Sequence, residues 1–124
     1  MDAKTVGAWD LKDLVAWQVA MELAREVYFV TRTFPPDERF GLTQQLRKSA
    51  VSIPSNIAEG HGRSSKREFA RFSLIARGSL KELETQLLLS RDFGFLPEGE
   101  FSRVAALTLR LNELITGLLR RLRR

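Results

Sequence analysis

A proline set inside a helical repeat constrains this chain more than any other feature. Leu42, Leu46, Ala50, Ile53 and Ile57 recur every three or four residues, the spacing of one apolar face of a helix, and Pro54 falls among them. Proline removes one backbone donor and clashes with the carbonyl four residues back, at about 3 kcal/mol or more in a regular helix. The piece after Pro54 is too short to stand alone, so the spacing predicts one long, kinked helix. Ser49, Ser52 and Ser55 can offer hydroxyls to backbone groups near the kink, and Gly60 and Gly62 end it. A second stripe runs beside the first: Ser49, Ser52, Asn56, Glu59 and Arg63. A surface helix usually fills its outer face with long charged residues, so this small, polar row is unusual. It is either a partly solvated face or a contact with another helix or chain.

Three further helical patterns surround this one. Asp13 is the expected N-cap of a first helix running to about Thr33, after an arm of residues 1–12 anchored by Trp9 and Leu11. That helix carries two stripes, Leu14-Trp17-Met21-Ala24-Tyr28-Thr31 and Ala16-Val19-Leu23-Val27-Val30. One neighbouring helix cannot cover so wide an apolar surface; several helices wrap it, or part of it meets another subunit. Phe34-Pro35-Pro36-Asp37 stops the helix. Ser65 and Glu68 fit a capping box for a third helix from about Lys66 to Phe93. Its seam is Phe69, Phe72, Ala76, Ser79, Leu83, Leu87 and Ser90, and its small Ala76, Gly78 and Ser79 predict a close crossing that offsets the helical glycine. Gly94 suits the helix end and Pro97 the opening of a fourth helix, with Phe101, Val104, Leu107, Leu111, Leu114, Leu118 and Leu122 as its seam. No strand pattern interrupts the chain. The expected fold is all-α: one antiparallel up-down-up-down four-helix bundle over residues 1–124, with a proline-kinked second helix.

Composition removes several functional classes. The 124 residues contain no cysteine and a single histidine, His61, set between two glycines as if in an exposed loop. Disulfides, thiolate metal sites and cysteine nucleophiles are excluded, and an imidazole-based triad would rest on that one residue. A di-metal bundle site needs inward carboxylates with Glu-x-x-His pairs, and none is present. The Glu82 and Glu84 cluster is expected to pair with Lys81 or solvent. Gly60-x-Gly62 is too short for a phosphate loop. No secretory leader or spanning run is visible. The expectation is a soluble, cytoplasmic, non-enzymatic protein without metal or cofactor.

Charge gives a more positive signal. The net charge is +5, and its distribution is uneven: His61 to Lys81 holds six cations, Arg63, Lys66, Arg67, Arg71, Arg77 and Lys81, against one acid, Glu68. Lys66, Arg67 and Arg71 lie near a helix start, where the dipole disfavours cations, so a dipole-matched solvated face does not account for them. Arg120, Arg121, Arg123 and Arg124 end the chain, where cations suit a helix. In an up-down-up-down bundle the two groups share one end and form an anion-attracting surface.

The residues also carry a family resemblance. Phe40-Gly41-Leu42-Thr43-x-Gln45-Leu46-Arg47, Ser52-Ile53-Pro54-Ser55-Asn56-Ile57-Ala58-Glu59-Gly60-x-Gly62-Arg63 and Ile75-Ala76-x-Gly78-Ser79-Leu80-x-Glu82-Leu83-Glu84-Thr85-Gln86-Leu87 resemble the four-helix bundle proteins of the ribosomal-RNA intervening-sequence family. Trp17-Gln18-x-Ala20 and Phe34-Pro35 fit its opening, while Lys48 and Ser49 stand where arginine and alanine are more usual. The chain is also similar to the accessory protein of diversity-generating retroelements, a basic pentameric barrel that engages a reverse transcriptase and nucleic acid. The resemblance implies a bacterial, cytoplasmic homo-oligomer, a pentameric ring, with no catalytic residues to carry over. Two functions follow as expectations. In one, Arg63, Lys66, Arg67, Arg71 and the C-terminal arginines contact phosphates of RNA or DNA, while Ser52, Asn56, Glu59 and Arg63 form the subunit contact or the bundle's polar network. In the other, the ring is an adaptor for a protein partner, and its charge serves solubility and steering.

Overall fold

The computed structural model describes residues 10–123. Four α-helices account for most of them: α1 (Val15–Thr31), α2 (Leu42–Gly62), α3 (Lys66–Asp92) and α4 (Glu98–Leu122). No strand occurs among the described residues. Each helix packs against the next in sequence, α1 also packs against α4, and the α2–α3 contact is the most extensive. Contacting positions step in opposite directions along each pair. Arg47 reaches Thr31 near one end of the α1–α2 contact, while Met21 and Ala58 line one groove farther along it. Ser52 meets Ser79 and Gly60 meets Phe69 between α2 and α3. Arg91 covers Phe101, while Lys81 and Asn112 share a cleft between α3 and α4. This is the pattern an up-down-up-down path makes.

The core follows the helical repeats with a few shifts. On α2 the apolar face is buried as its spacing requires: Leu46, Ala50, Ile53 and Ile57 have no exposed surface, and Leu42 packs against the cluster. On α1 the Ala16-Val19-Leu23-Val27-Val30 stripe enters the core, whereas Trp17, Met21 and Tyr28 stay partly or largely exposed. Fully burying a leucine-sized side chain contributes about 1.5–3 kcal/mol, so the inner stripe holds this helix in place. On α3 the seam includes Ser73 and Leu80, and Phe72 is only half-buried. On α4 it adds Thr108, Ile115 and Leu119.

Several local expectations change. Asp13 does not cap α1. Asp10 instead caps a 3-10 turn, Leu11–Asp13, accepting from the Lys12 amide at 3.1 Å, and α1 starts after Leu14. The remainder of the N-terminal arm, including Trp9, lies outside the described residues. Gly78 does not mark the close crossing, because it is exposed and an added Cβ would meet nothing within 4 Å. Gly60 takes that role: it sits inside α2, where a Cβ would lie 2.8 Å from Phe72 Cβ and 3.2 Å from Phe69 Cα. Pro54 is buried inside α2, with helix on both sides. Gly94 closes α3 in the left-handed region at φ 80°, and α4 begins directly after Pro97.

Candidate nucleic-acid interface

The turn between α2 and α3 builds the main basic surface. After Gly62 the chain reverses through Ser64, which adopts a left-handed φ of 57°, an uncommon conformation for a residue with a Cβ. Ser65 then caps α3, its hydroxyl accepting from the Glu68 amide at 3.3 Å. Close packing of Gly60 on Phe69 and Phe72 brings the last turn of α2 onto the first turn of α3. Residues Arg63 to Arg71 are thereby drawn onto one surface. His61 belongs to that last helical turn and is half-buried, its ring edge-on to Phe69 at 5.8 Å; it is not an exposed loop residue.

Glu68 organises the cations. Arg71 donates to it through Nε at 2.9 Å and Nη2 at 3.2 Å, a two-point contact. Arg63 lies 4.0 Å from the same carboxylate and 3.7 Å from Glu59, one helical turn back on α2. The guanidinium carbons of Arg63 and Arg71 also lie 5.2 and 4.4 Å from the centroid of the Phe72 ring. Sequence reasoning singled out the arginines but missed Phe72 as their support and Glu68 as their tether. The signal was present, since Glu68 and Arg71 are three residues apart and face each other on a helix. The hydrogen bond from Arg71 holds the Glu68 carboxyl below its ordinary pKa against the opposing effect of desolvation, with the charges of Arg71, Arg63 and Arg67 adding to it. The same bond raises the Arg71 guanidinium above its usual value. Lys66 is half-buried and Arg67 exposed beside them.

The C-terminal arginines sit at the same end, because α3 and α4 run in opposite directions, but among different neighbours. Arg120 and Arg121 occupy the last turn of α4, Arg123 follows it, and all three are exposed. Arg121 lines a cleft of about 560 Å³ with Asp10, Asp13 and Glu113, which offset part of its charge. Arg124 lies outside the described residues.

The small-polar row on α2 faces α3 at its centre. Ser52 and Ser79 join hydroxyl to hydroxyl at 2.8 Å, and the Asn56 amide donates to the Ser52 carbonyl at 2.8 Å and its hydroxyl at 3.0 Å. Ser49 is buried in the same contact, while Glu59 and Arg63 continue the row into the basic surface. Ser52 thus sends its hydroxyl across to α3, away from the backbone near Pro54. On the outer face of α3, Lys81 pairs with Glu84 at 3.2 Å. No group of three or more His, Cys, Asp or Glu among the described residues is arranged to hold a metal ion. No helix among them is long and apolar enough to cross a membrane.

The motif-bearing helices agree with a family model, 23S rRNA-intervening sequence protein, over residues 12–117. The chain belongs to this family. No curated protein matches it. The chain is similar to the crystal structure of a protein of unknown function from the S23 ribosomal protein family of Bacteroides thetaiotaomicron, with a TM-score of 0.75 and 20% identity over 84% of this chain and 97% of that one. At that identity the likeness is one of fold. The family match contains the whole Arg63–Arg71 surface and ends before Arg120, Arg121 and Arg123.

Proposed function

We propose that this protein is a non-enzymatic, pentameric ring-forming four-helix bundle that binds RNA or DNA through its basic end, in the cytoplasm. The observation that carries the reading is the Arg63–Arg71 surface, where two guanidiniums are pre-positioned by Glu68 and Phe72 beside Lys66 and Arg67. Guanidinium groups present several fixed donors to phosphate oxygens, and their low hydration lets them leave water at small cost. The rRNA in the family's description agrees with a nucleic-acid partner.

Ring formation draws on a different surface. Trp17, Met21, Tyr28, Val51, Pro54 and Ala58 line an apolar groove of about 570 Å³ between α1 and α2. In this reading a neighbouring subunit covers the groove, and a bend of α2 at Pro54 shapes its floor. The same groove supports the second reading, an oligomeric adaptor that holds a protein partner and has no nucleic-acid role.

Titration of labelled single-stranded RNA, hairpin RNA and duplex DNA at two salt concentrations tests the first reading. The double variant Arg67→Glu, Arg71→Gln should lower affinity for all three and flatten the salt dependence by about 0.9 per lost phosphate contact on duplex DNA. Unchanged affinity in a variant that still assembles sinks the phosphate role. Absence of binding of every probe by the wild-type protein at low salt favours the adaptor.

A further inference from the structure

The opposite end of the bundle carries a second cationic surface, built on aromatic rings. The chain leaves α1 through Phe34, makes a short 3-10 turn at Pro36–Glu38, and enters α2 after Phe40 and Gly41. Glu38 ties that turn to the start of α2 twice. The Gly41 amide donates to the Glu38 carbonyl at 2.9 Å, and the Glu38 carboxylate accepts from the Leu42 amide at 3.0 Å. Phe40 is therefore held out on a fixed support with 78% of its surface exposed, the largest exposure of any large apolar residue described. A ring so placed contributes little to the core.

Each ring here has a guanidinium on it. The Arg39 carbon lies 4.7 Å from the Phe40 centroid, and the Arg47 carbon 4.6 Å from that of Tyr28. Arg47 is fixed further by donating to Thr31 Oγ1 at 2.9 Å and the Tyr28 carbonyl at 3.4 Å. Between the two pairs lies an open cavity of about 560 Å³, lined also by Gln44 and Lys48. That size falls in the usual range for small-ligand sites, about 300–1,000 Å³. Its charged lining residues are Arg39, Arg47 and Lys48, with no carboxylate among them. Glu38, next along the chain, is committed to the helix amide.

We propose that this cavity is a stacking site for unpaired nucleotides of a single-stranded nucleic acid, with a base on the open face of Phe40 and the adjoining phosphates on Arg39, Arg47 and Lys48. Exposed π-faces interleaved with cations are the arrangement that grips a single strand, because an unpaired base offers its face. Paired bases are stacked on one another and offer only edges and phosphates, so a duplex gains nothing from Phe40. An acidic peptide would use the cations and leave the ring idle. The inference rests on the nucleic-acid reading above but names a separate site and one strand state.

The test is affinity for a labelled oligouridylate, a blunt-ended duplex RNA and free uridine monophosphate, with Phe40→Ala, Phe40→Trp and Lys48→Gln beside the double variant at the other end. Phe40→Ala should weaken oligouridylate binding roughly tenfold, the size of one lost stacked base, and leave duplex-RNA affinity and the salt slope unchanged. Phe40→Trp should keep the affinity, with indole fluorescence quenched on binding. Lys48→Gln should reduce the single-strand salt slope by about 0.7. Uridine monophosphate should compete weakly and reach the same site, separating a free nucleotide from a strand that also uses the neighbouring cations. Unchanged oligouridylate affinity in Phe40→Ala, an equal loss on the duplex RNA, or equal displacement by polyglutamate overturns the proposal. A Phe40 effect without any effect of Arg67→Glu, Arg71→Gln overturns the basic-end reading instead and leaves this site standing.

Discussion

The two ends of the bundle position their arginines by different means. At the α2–α3 end, Arg63 and Arg71 are held by carboxylates, with Phe72 between them as a support. At the α1–α2 end, Arg39 and Arg47 lie on Phe40 and Tyr28, and no acid lines their cavity. A carboxylate tether orients a guanidinium but neutralises it, so phosphate must compete with Glu68. An aromatic support orients the guanidinium and leaves its charge whole. The first end is thus suited to electrostatic contact and the second to contact with a base as well as a phosphate.

The largest expected effect comes from the close approach beneath the first end. Gly60→Val places new atoms against Phe72 Cβ and the Phe69 backbone, neither of which can swing away, and should destabilise the protein by about 1–3 kcal/mol. Thermal denaturation measures it; an unchanged Tm would mean the α2–α3 contact is looser than described. Gly41→Ala is the matching change at the other end. There the added Cβ meets only Glu38 Oε1, at 2.8 Å, a side-chain tip that can rotate. The cost should be about 1 kcal/mol, the loss of one helix-start acceptor, together with weaker single-strand binding as Phe40 loses its support.

A smaller effect, opposite in sign, separates the ends electrostatically. Glu68→Gln frees Arg71 and Arg63 and should tighten duplex binding by a few-fold, about what one unopposed surface charge is worth. The same change should leave Phe40-dependent binding alone. A loss of duplex affinity would show that Glu68 serves chiefly to hold the arginines in place. Acid titration gives the same contrast without mutation. Because the Glu68 pKa is lowered in the fold, its ion pair is intact above the ordinary carboxylate range and is lost as pH falls through the lowered value. Its contribution to affinity should be flat from neutrality to about pH 5 and change only below that.

Much of this architecture was legible in the sequence. The four repeats, the Ser65 cap, Gly94 and Pro97 mark the helices by rules that depend only on neighbouring residues. The start of α1 was not, because Asp13 is a good cap on paper but is taken up in the 3-10 turn Leu11–Asp13, and the helix starts after Leu14 with no side-chain cap. Nor could sequence choose between Gly60 and Gly78, since both are helical glycines and only the partner helix reveals which one is approached. At the basic end the charge run was visible, but its neutralisation by Glu68 and the place of Phe72 needed geometry. The aromatic end was hidden more deeply. Tyr28, Phe40 and Arg47 come from three parts of the chain, and only the exposure of Phe40 shows that the core does not need it.

One measurement reaches the central claim most directly: the affinity of the wild-type protein for labelled oligouridylate and for duplex DNA across a salt series. The account predicts binding to both that falls steeply with salt, with a residual preference for the single strand that persists at high salt and disappears in Phe40→Ala. Absence of binding to either probe at low salt would contradict it and turn the search toward a protein partner.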